Sequence, residues 1–238
     1  MTQLTGRERA AYVQNMFTRI ARRYDLMNRL MTGGQDIRWR KRVIELARLH
    51  PNASLLDLGT GTGDLAREAL SAFPNARVVG ADFTLEMMRV GRRNSPLDFS
   101  AADALQLPFP DFSFDAVVSG FLMRNVVDLQ KALEEQYRVL KPGGRIVILD
   151  TTRPKKNILS PFIWVHMHVV IPTLGGLITG SGDAYRYLPE TTEGFVTAED
   201  MAARMEKAGF QKIGFQRFMF GTIAIHWGEK PLESGGAK

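Results

Sequence analysis

The sequence predicts an α/β fold: a doubly wound, mostly parallel seven-stranded sheet with N-terminal helices before it and an antiparallel C-terminal hairpin after it. Three observations carry this expectation. From residue 54 to residue 150, short apolar runs alternate with helical stretches, the pattern of successive β-α units. Residues 7–50 carry helical periodicity, with apolar positions recurring among arginines. Residues 211–227 hold two strand-like runs joined by a link too short for a crossover helix.

Taken in order, Thr32-Gly33-Gly34 divides the first 50 residues into two helices. The second is expected from about Arg38 to Leu49, ending before Pro51. Ser54 to Leu58 reads as a buried strand, Asp64 to Ala72 as a helix, Ala76 to Asp82 as a second strand and Leu85 to Arg93 as a second helix. Asp98 to Ala101 is a short third strand and Asp115 to Ser119 a fourth. Leu129 to Leu140 is helical, Lys141-Pro142-Gly143-Gly144 a turn, and Arg145 to Asp150 a fifth strand. Thr197 to Ala208 is a helix closed by Gly209. Gln211 to Phe218 and Thr222 to Trp227 then form the hairpin. Helices on both faces of a parallel sheet, with right-handed crossovers, give a Rossmann-like architecture. The expected organisation is an N-terminal helical segment (1–50) packed on one domain (51–230). That domain carries an insert at 151–195, and a small polar tail (231–238) is expected to lack order.

Composition narrows the function. The 238 residues suit one large domain, and 45% apolar content is enough for a full core. With no cysteine there is no disulfide framework, thiolate nucleophile or cysteine-type zinc site, and no metal is expected. The first nine residues lack the apolar stretch of a signal peptide, so a cytoplasmic location is expected. The net charge of +6 is uneven, because residues 1–50 carry eleven Lys/Arg against four Asp/Glu. Such an excess suits an anionic partner, or simply a solvated helix face. Residues 157–182 contain no Asp, Glu, Lys or Arg, a length that meets the span of a bilayer. Pro161, Pro172, Gly175-Gly176, two histidines and several hydroxyl residues point instead to a lid or a membrane-surface segment.

The strongest chemical signal is the strand-to-helix turn Asp57-Leu58-Gly59-Thr60-Gly61-Thr62-Gly63. Glycines here let the backbone bend tightly and approach a ligand, and the next helix offers free N–H groups to an anionic group. A dinucleotide fingerprint needs Gly-x-Gly-x-x-Gly, but its third position is Asp64. The spacing is instead Gly-x-Gly-x-Gly after an acidic strand residue, the pattern of S-adenosylmethionine-dependent methyltransferases, with Asp57, Gly59 and Gly61 at the cofactor. Asp82 ends the second strand, where it can accept hydrogen bonds from ribose hydroxyls or cap the following helix. Asp103, with the small Ala104 beside it, follows the third strand and can meet an adenine ring or serve a turn.

Further segments resemble the ubiquinone/menaquinone biosynthesis C-methyltransferases. They are Phe17 to Asn28, Leu107 to Asp115, Arg124-Asn125-Val126, Arg138 to Gly144 and Tyr185-Arg186-Tyr187-Leu188. The resemblance covers about residues 15–230 and implies that Thr62, Asp82, Asp103 and Ala104 contact S-adenosylmethionine. The family's serine before its Gly-Leu-Arg-Asn implies a cofactor contact at Ser119, which stands a residue or so out of place. The implied reaction is C-methylation of a prenylated quinol, demethylmenaquinol to menaquinol. A ubiquinone precursor or a sterol-like acceptor is the alternative. Arg124 can hold a phenolate or a water in that reaction, or form a salt bridge. Tyr24 can reach the cofactor or pack, and His166 and His168 can act as bases or sit satisfied. The basic N-terminal helices and the uncharged insert together suit peripheral contact with an anionic membrane surface. No nucleic-acid partner is expected, because aromatic and basic residues do not interleave.

Overall fold

The computed structural model describes residues 6–94, 97–153, 160–170, 172–173, 176 and 191–232. The Tyr185–Leu188 segment, residues 233–238 of the tail and much of the insert lie outside the described residues. Among the described residues, seven strands form one sheet in the order β3-β2-β1-β4-β5-β7-β6. They are β1 (Ser54–Leu58), β2 (Arg77–Asp82), β3 (Asp98–Ala101), β4 (Phe114–Gly120), β5 (Leu140–Thr151), β6 (Gln211–Phe218) and β7 (Ile223–Glu229). β1 to β5 pair in parallel, while β7 runs antiparallel to both β5 and β6. The C-terminal hairpin therefore exists, with β6 at the sheet edge and β7 inside it. Its link, Met219–Gly221, turns through three successive residues of positive φ.

Among the described residues the helices are α1 (Gly6–Ile20), α2 (Tyr24–Thr32), α3 (Gln35–Ala47), α4 (Asp64–Ala72), α5 (Leu85–Asn94), α6 (Leu129–Val139), α7 (Ser160–Val165) and α8 (Ala198–Lys207). Here the structure corrects the expectation of two N-terminal helices. A 3-10 turn at Ala21–Arg23 separates α1 from α2, with no glycine or proline to announce it. Packing dictates it: Ala21 is buried, and the turn brings Phe17 edge-on to Tyr24 at 5.7 Å. The Gly33-Gly34 break is as expected, both residues being left-handed. α3 starts immediately afterwards because Asp36 is buried and partnered, accepting from Thr32 Oγ1 at 3.0 Å and pairing with Arg40 at 2.9 Å. Lys141–Gly144 does turn, but within β5. The register jumps from Phe114↔Leu140 to Ala116↔Arg145, so the four residues bulge out of the ladder.

Strand alternation divides the core between two faces. Leu55, Val78, Ala116, Val118, Val147 and Leu149 pack under α3 and α4. Leu56, Leu58, Val117, Ile146 and Ile148 pack under α6 and α8. The N-terminal segment is part of this core, since Trp39, Val43 and Ile44 of α3 are buried in the first layer. A smaller cluster of Met16, Ile20, Met27 and Met31 holds α1 against α2. Helix α8 is fixed by a capping box between Thr197 and Asp200. These contacts place α1 and α2 over the carboxyl ends of β1, β2 and β4, where open α/β sheets bind ligands.

Candidate active site

A cavity of about 350 Å³ lies at those strand ends. Its floor is the turn after β1, which the sheet shapes directly. Gly59 N and Thr60 N both donate to Ala81 O, at 2.8 and 3.0 Å, so the turn folds back over β2. Gly59 has φ +68, and a Cβ there would stand 2.9 Å from Leu122 Cβ, so only glycine lets β1 leave the sheet beside the β4 loop. Asp57 sits beneath the turn, almost wholly buried. Its Oδ2 accepts from Thr60 Oγ1 at 2.6 Å and from Ala66 N at 3.0 Å, which ties the start of α4 to β1. Its Oδ1 has no hydrogen-bond partner among the described residues. Burial pushes its carboxyl up to about 7, against those two hydrogen bonds.

Asp82, at the end of β2, is fixed by two backbone donors. Gly61 N reaches Oδ2 at 2.8 Å and Thr84 N reaches Oδ1 at 2.7 Å. Burial raises its pKa while these bonds lower it. Phe83 N–H and the Thr84 hydroxyl also donate to this carboxylate. Asp103 lies past β3, exposed, accepting from Leu105 N at 2.9 Å, with Ala102 and Ala104 buried beside it. Asp57, Gly59, Gly61, Thr62, Asp82, Asp103 and Ala104 all line this cavity, so seven of the sequence-derived candidates converge.

The structure does not bring the other two there. Ser119 is fully buried in β4, paired with Leu58 and Ile148 on the face under α6, and its hydroxyl has no partner among the described residues. Strand alternation turns it away from the cavity, whose wall is taken up by the next residue, Gly120. Arg124 sits in a 3-10 turn, Met123–Asn125, and takes the salt-bridge alternative. Its Nη1 is 3.2 Å from Asp150 Oδ1, its own N–H donates to Asp150 Oδ2 at 3.2 Å, and its guanidinium lies 5.0 Å from the centre of the Phe121 ring. Burial raises the Asp150 carboxyl and Arg124 opposes the rise. Phe121 lines the cavity, so Arg124 braces the wall from behind. His168 stacks on Trp164 at 4.7 Å, and its Nε2 is 3.3 Å from Glu193 Oε1. The side chain of His166 lies outside the described residues.

The roof is less visible in the sequence. Val13 and Phe17 of α1, Tyr24, Asp25 and Asn28 of α2 and Arg40 of α3 close the cavity over the turn. Thr62 Oγ1 donates to Asp25 Oδ1 at 2.7 Å, and Arg40 forms an ion pair with Asp64. Burial lifts the Asp25 carboxyl, Asp64 adds to the rise, and the Thr62 bond lowers it. Burial also lifts the Tyr24 phenol above its ordinary value, with Arg124 opposing. Of this group only Tyr24 has a role readable from sequence, although Tyr24 to Asn28 is the segment that carries the resemblance.

The arrangement is one of matched parts. An acidic side chain stands at the end of each of three adjacent strands, a helix N-terminus faces the same space, and aromatic and aliphatic groups line the far wall. A family model described as the ubiE/COQ5 methyltransferase family matches residues 4–230. The chain belongs to this family. A relative from Thermus thermophilus, named demethylmenaquinone methyltransferase, is 48% identical over 221 residues, 91% of this chain and 100% of that one. A relative from Desulfotalea psychrophila, named ubiquinone/menaquinone biosynthesis C-methyltransferase UbiE, is 46% identical, covering 92% and 90%. Solved structures agree in fold at lower identity. The [4+2]-cyclase SpnF matches with a TM-score of 0.68 at 18% identity, over 96% of this chain and 97% of its own. Phosphoethanolamine N-methyltransferase 2 of Haemonchus contortus, solved with S-adenosyl-L-methionine, matches at 0.63 and 17%, over 82% and 52%. The protein is thus a methyltransferase on a Rossmann-like scaffold, and S-adenosylmethionine is its methyl donor. The residues fit that donor: buried Asp57 Oδ1 lacks a partner among the described residues, and the glycine turn leaves space that side chains would fill.

Proposed function

We propose that the protein methylates a ring carbon of a prenylated demethylquinol, demethylmenaquinol to menaquinol, within quinone biosynthesis. The observation that carries this reading is the near full-length similarity to relatives named for that reaction. When bound, S-adenosylmethionine supplies a methyl group already activated on a sulfonium. The chain's task is to hold, orient and dry the reactants.

In this reading Asp82 accepts from the ribose hydroxyls, while Asp103 and Ala104 take the adenine. Asp57 faces the ammonium group, and Thr62 with the first N–H groups of α4 meets the carboxylate. Gly59 and Gly61 admit the chain of atoms between them. Val13, Phe17, Phe121 and Leu122 line the other wall and exclude water from the acceptor ring. Alignment of ring carbon and methyl group can supply up to about 7–11 kcal/mol of the barrier reduction. Tyr24, hydrogen-bonded to Asn28 and kept neutral by burial, is placed to bond the ring hydroxyl. Arg124 is a positioning residue, holding Phe121 and biasing the Tyr24 phenol from behind.

We infer peripheral contact with an anionic membrane surface as well. Among the described residues no helix is long and apolar enough to cross a membrane. The insert presents exposed Trp164, Val165, Val169 and Val170, which suits contact with lipid. The deciding experiment is mass spectrometry of quinones from a strain lacking the gene. A demethylated quinone should accumulate and disappear on complementation, and an unchanged quinone profile would overturn the substrate assignment. Purified enzyme offered demethylmenaquinol beside a ubiquinone precursor then ranks the acceptors.

A further inference from the structure

Helix α2 has two faces with opposite chemistry. Inward, Met27 and Met31 are buried against α1, and Tyr24, Asp25 and Asn28 line the cavity. Outward, Leu26 is 52% exposed and Leu30 47% exposed, one helical turn apart. Ile37, at the start of α3 just past the Gly33-Gly34 turn, is 37% exposed. Arg22, Arg29 and Arg38 are exposed alongside them. The two acids of this stretch are both directed inward: Asp25 accepts from Thr62, and Asp36 is buried on Thr32 and Arg40. The outer face is thus apolar and cationic with no exposed carboxylate between residues 21 and 38.

We propose that this outer face of α2, with Leu26, Leu30 and Ile37 as the inserting groups and Arg22, Arg29 and Arg38 as the flanking cations, docks the enzyme on an anionic lipid surface. Charge complementarity joined to shape favours lipid as the occupant. Leucines at i and i+4 on a short amphipathic helix enter the headgroup boundary while arginines at their flanks meet lipid phosphates. Position adds to it, because the docking helix is itself one wall of the cavity. Seated this way, the cavity wall carrying Tyr24 and Asn28 rests on the lipid that holds a prenylated acceptor. The proposal rests on the membrane reading given above and names the surface that performs it.

The chain has no cysteine, so a single introduced one is a unique label site. Leu26→Cys and, as a control, Glu206→Cys on the exposed side of α8 would each carry an environment-sensitive dye. Both would be mixed with phosphatidylglycerol vesicles at low salt. The emission at position 26 should shift to the blue and that at position 206 should not. In co-sedimentation, Leu26→Ser with Leu30→Ser should weaken vesicle binding about tenfold or more. Each of Arg22→Gln and Arg29→Gln should weaken it about fivefold, an effect that vanishes at high salt. All four positions are exposed, so the thermal transition should stay in place. Undiminished binding by the Leu26→Ser, Leu30→Ser variant, or equal shifts at 26 and 206, would overturn α2 as the docking face and leave the membrane reading standing. No binding of wild-type protein to these vesicles would overturn both.

Discussion

Replacing Asp57 with Asn removes one buried carboxyl and tests the floor of the site on two scales. Burial lifts the Asp57 pKa from 3.8 to about 7 in the folded chain. An acid raised on folding binds more protons in the native state than in the unfolded one, so stability falls as pH rises through that window. The loss begins near pH 4 and is complete above pH 7. At about 1.4 kcal/mol per pKa unit it reaches about 4 kcal/mol, and the residue is too deeply buried for solvent screening to discount it much. The asparagine side chain keeps an oxygen for Thr60 Oγ1 and Ala66 N but cannot ionise. Its amide nitrogen takes the place of the unpartnered Oδ1 and shifts the whole curve by a constant of about 1–3 kcal/mol. The slope is therefore the diagnostic. Chemical denaturation at intervals from about pH 4 to pH 8 should show wild type losing stability relative to Asp57→Asn by about 4 kcal/mol across that range. Calorimetry should show S-adenosylhomocysteine binding at least about tenfold weaker to the variant at the alkaline end, and 5′-methylthioadenosine, which lacks the amino-acid end, bound nearly as before. Parallel stability curves would refute the raised carboxyl, and equal S-adenosylhomocysteine affinity would remove Asp57 from the ligand.

Three further changes probe other parts. His226 is buried, its Nε2 on Ala198 O at 3.0 Å, and burial lowers its pKa from 6.5 to about 4. A histidine depressed on folding costs stability as pH falls through that interval, by about 3 kcal/mol, so His226→Phe should flatten that acid limb in a denaturation series. Since Asp57 and His226 act in opposite directions over the same window, the variants expose what wild type alone would hide. Arg124→Ala leaves Asp150 buried and unpaired and should cost about 3–5 kcal/mol, part of it restored by Asp150→Asn. It should also move the high-pH limb of kcat upward as Tyr24 loses a neighbouring charge, and an unmoved limb would leave Arg124 a purely structural role. Asp82→Asn offers one acceptor oxygen to the two backbone donors Gly61 and Thr84, and should weaken 5′-methylthioadenosine binding roughly ten- to hundredfold by calorimetry.

What sequence could and could not show follows from the range of the forces involved. The order of elements was legible because alternation and turn chemistry are local: Ser54–Leu58 and Asp64–Ala72 have the expected bounds. That seven candidate residues share one cavity was legible for a related reason. A parallel sheet places the ends of consecutive strands side by side, so an acid at each end is a spatial statement made in one dimension. Ser119 stands one position short of the cavity wall, since one residue along a strand is the difference between facing the cavity and facing α6. Arg124 pairs with Asp150, 26 residues on near the end of β5, and no local pattern joins them. The 3-10 turn at Ala21–Arg23 has no sequence punctuation either, because its cause is the packing of Phe17 on Tyr24. That turn is what directs Tyr24, Asp25 and Asn28 inward and leaves Leu26 and Leu30 outward. A break invisible in the sequence thus decides which side of α2 faces the cavity and which faces outward. Restoring helical continuity there, rather than altering any single contact residue, would disturb both sides of α2 together.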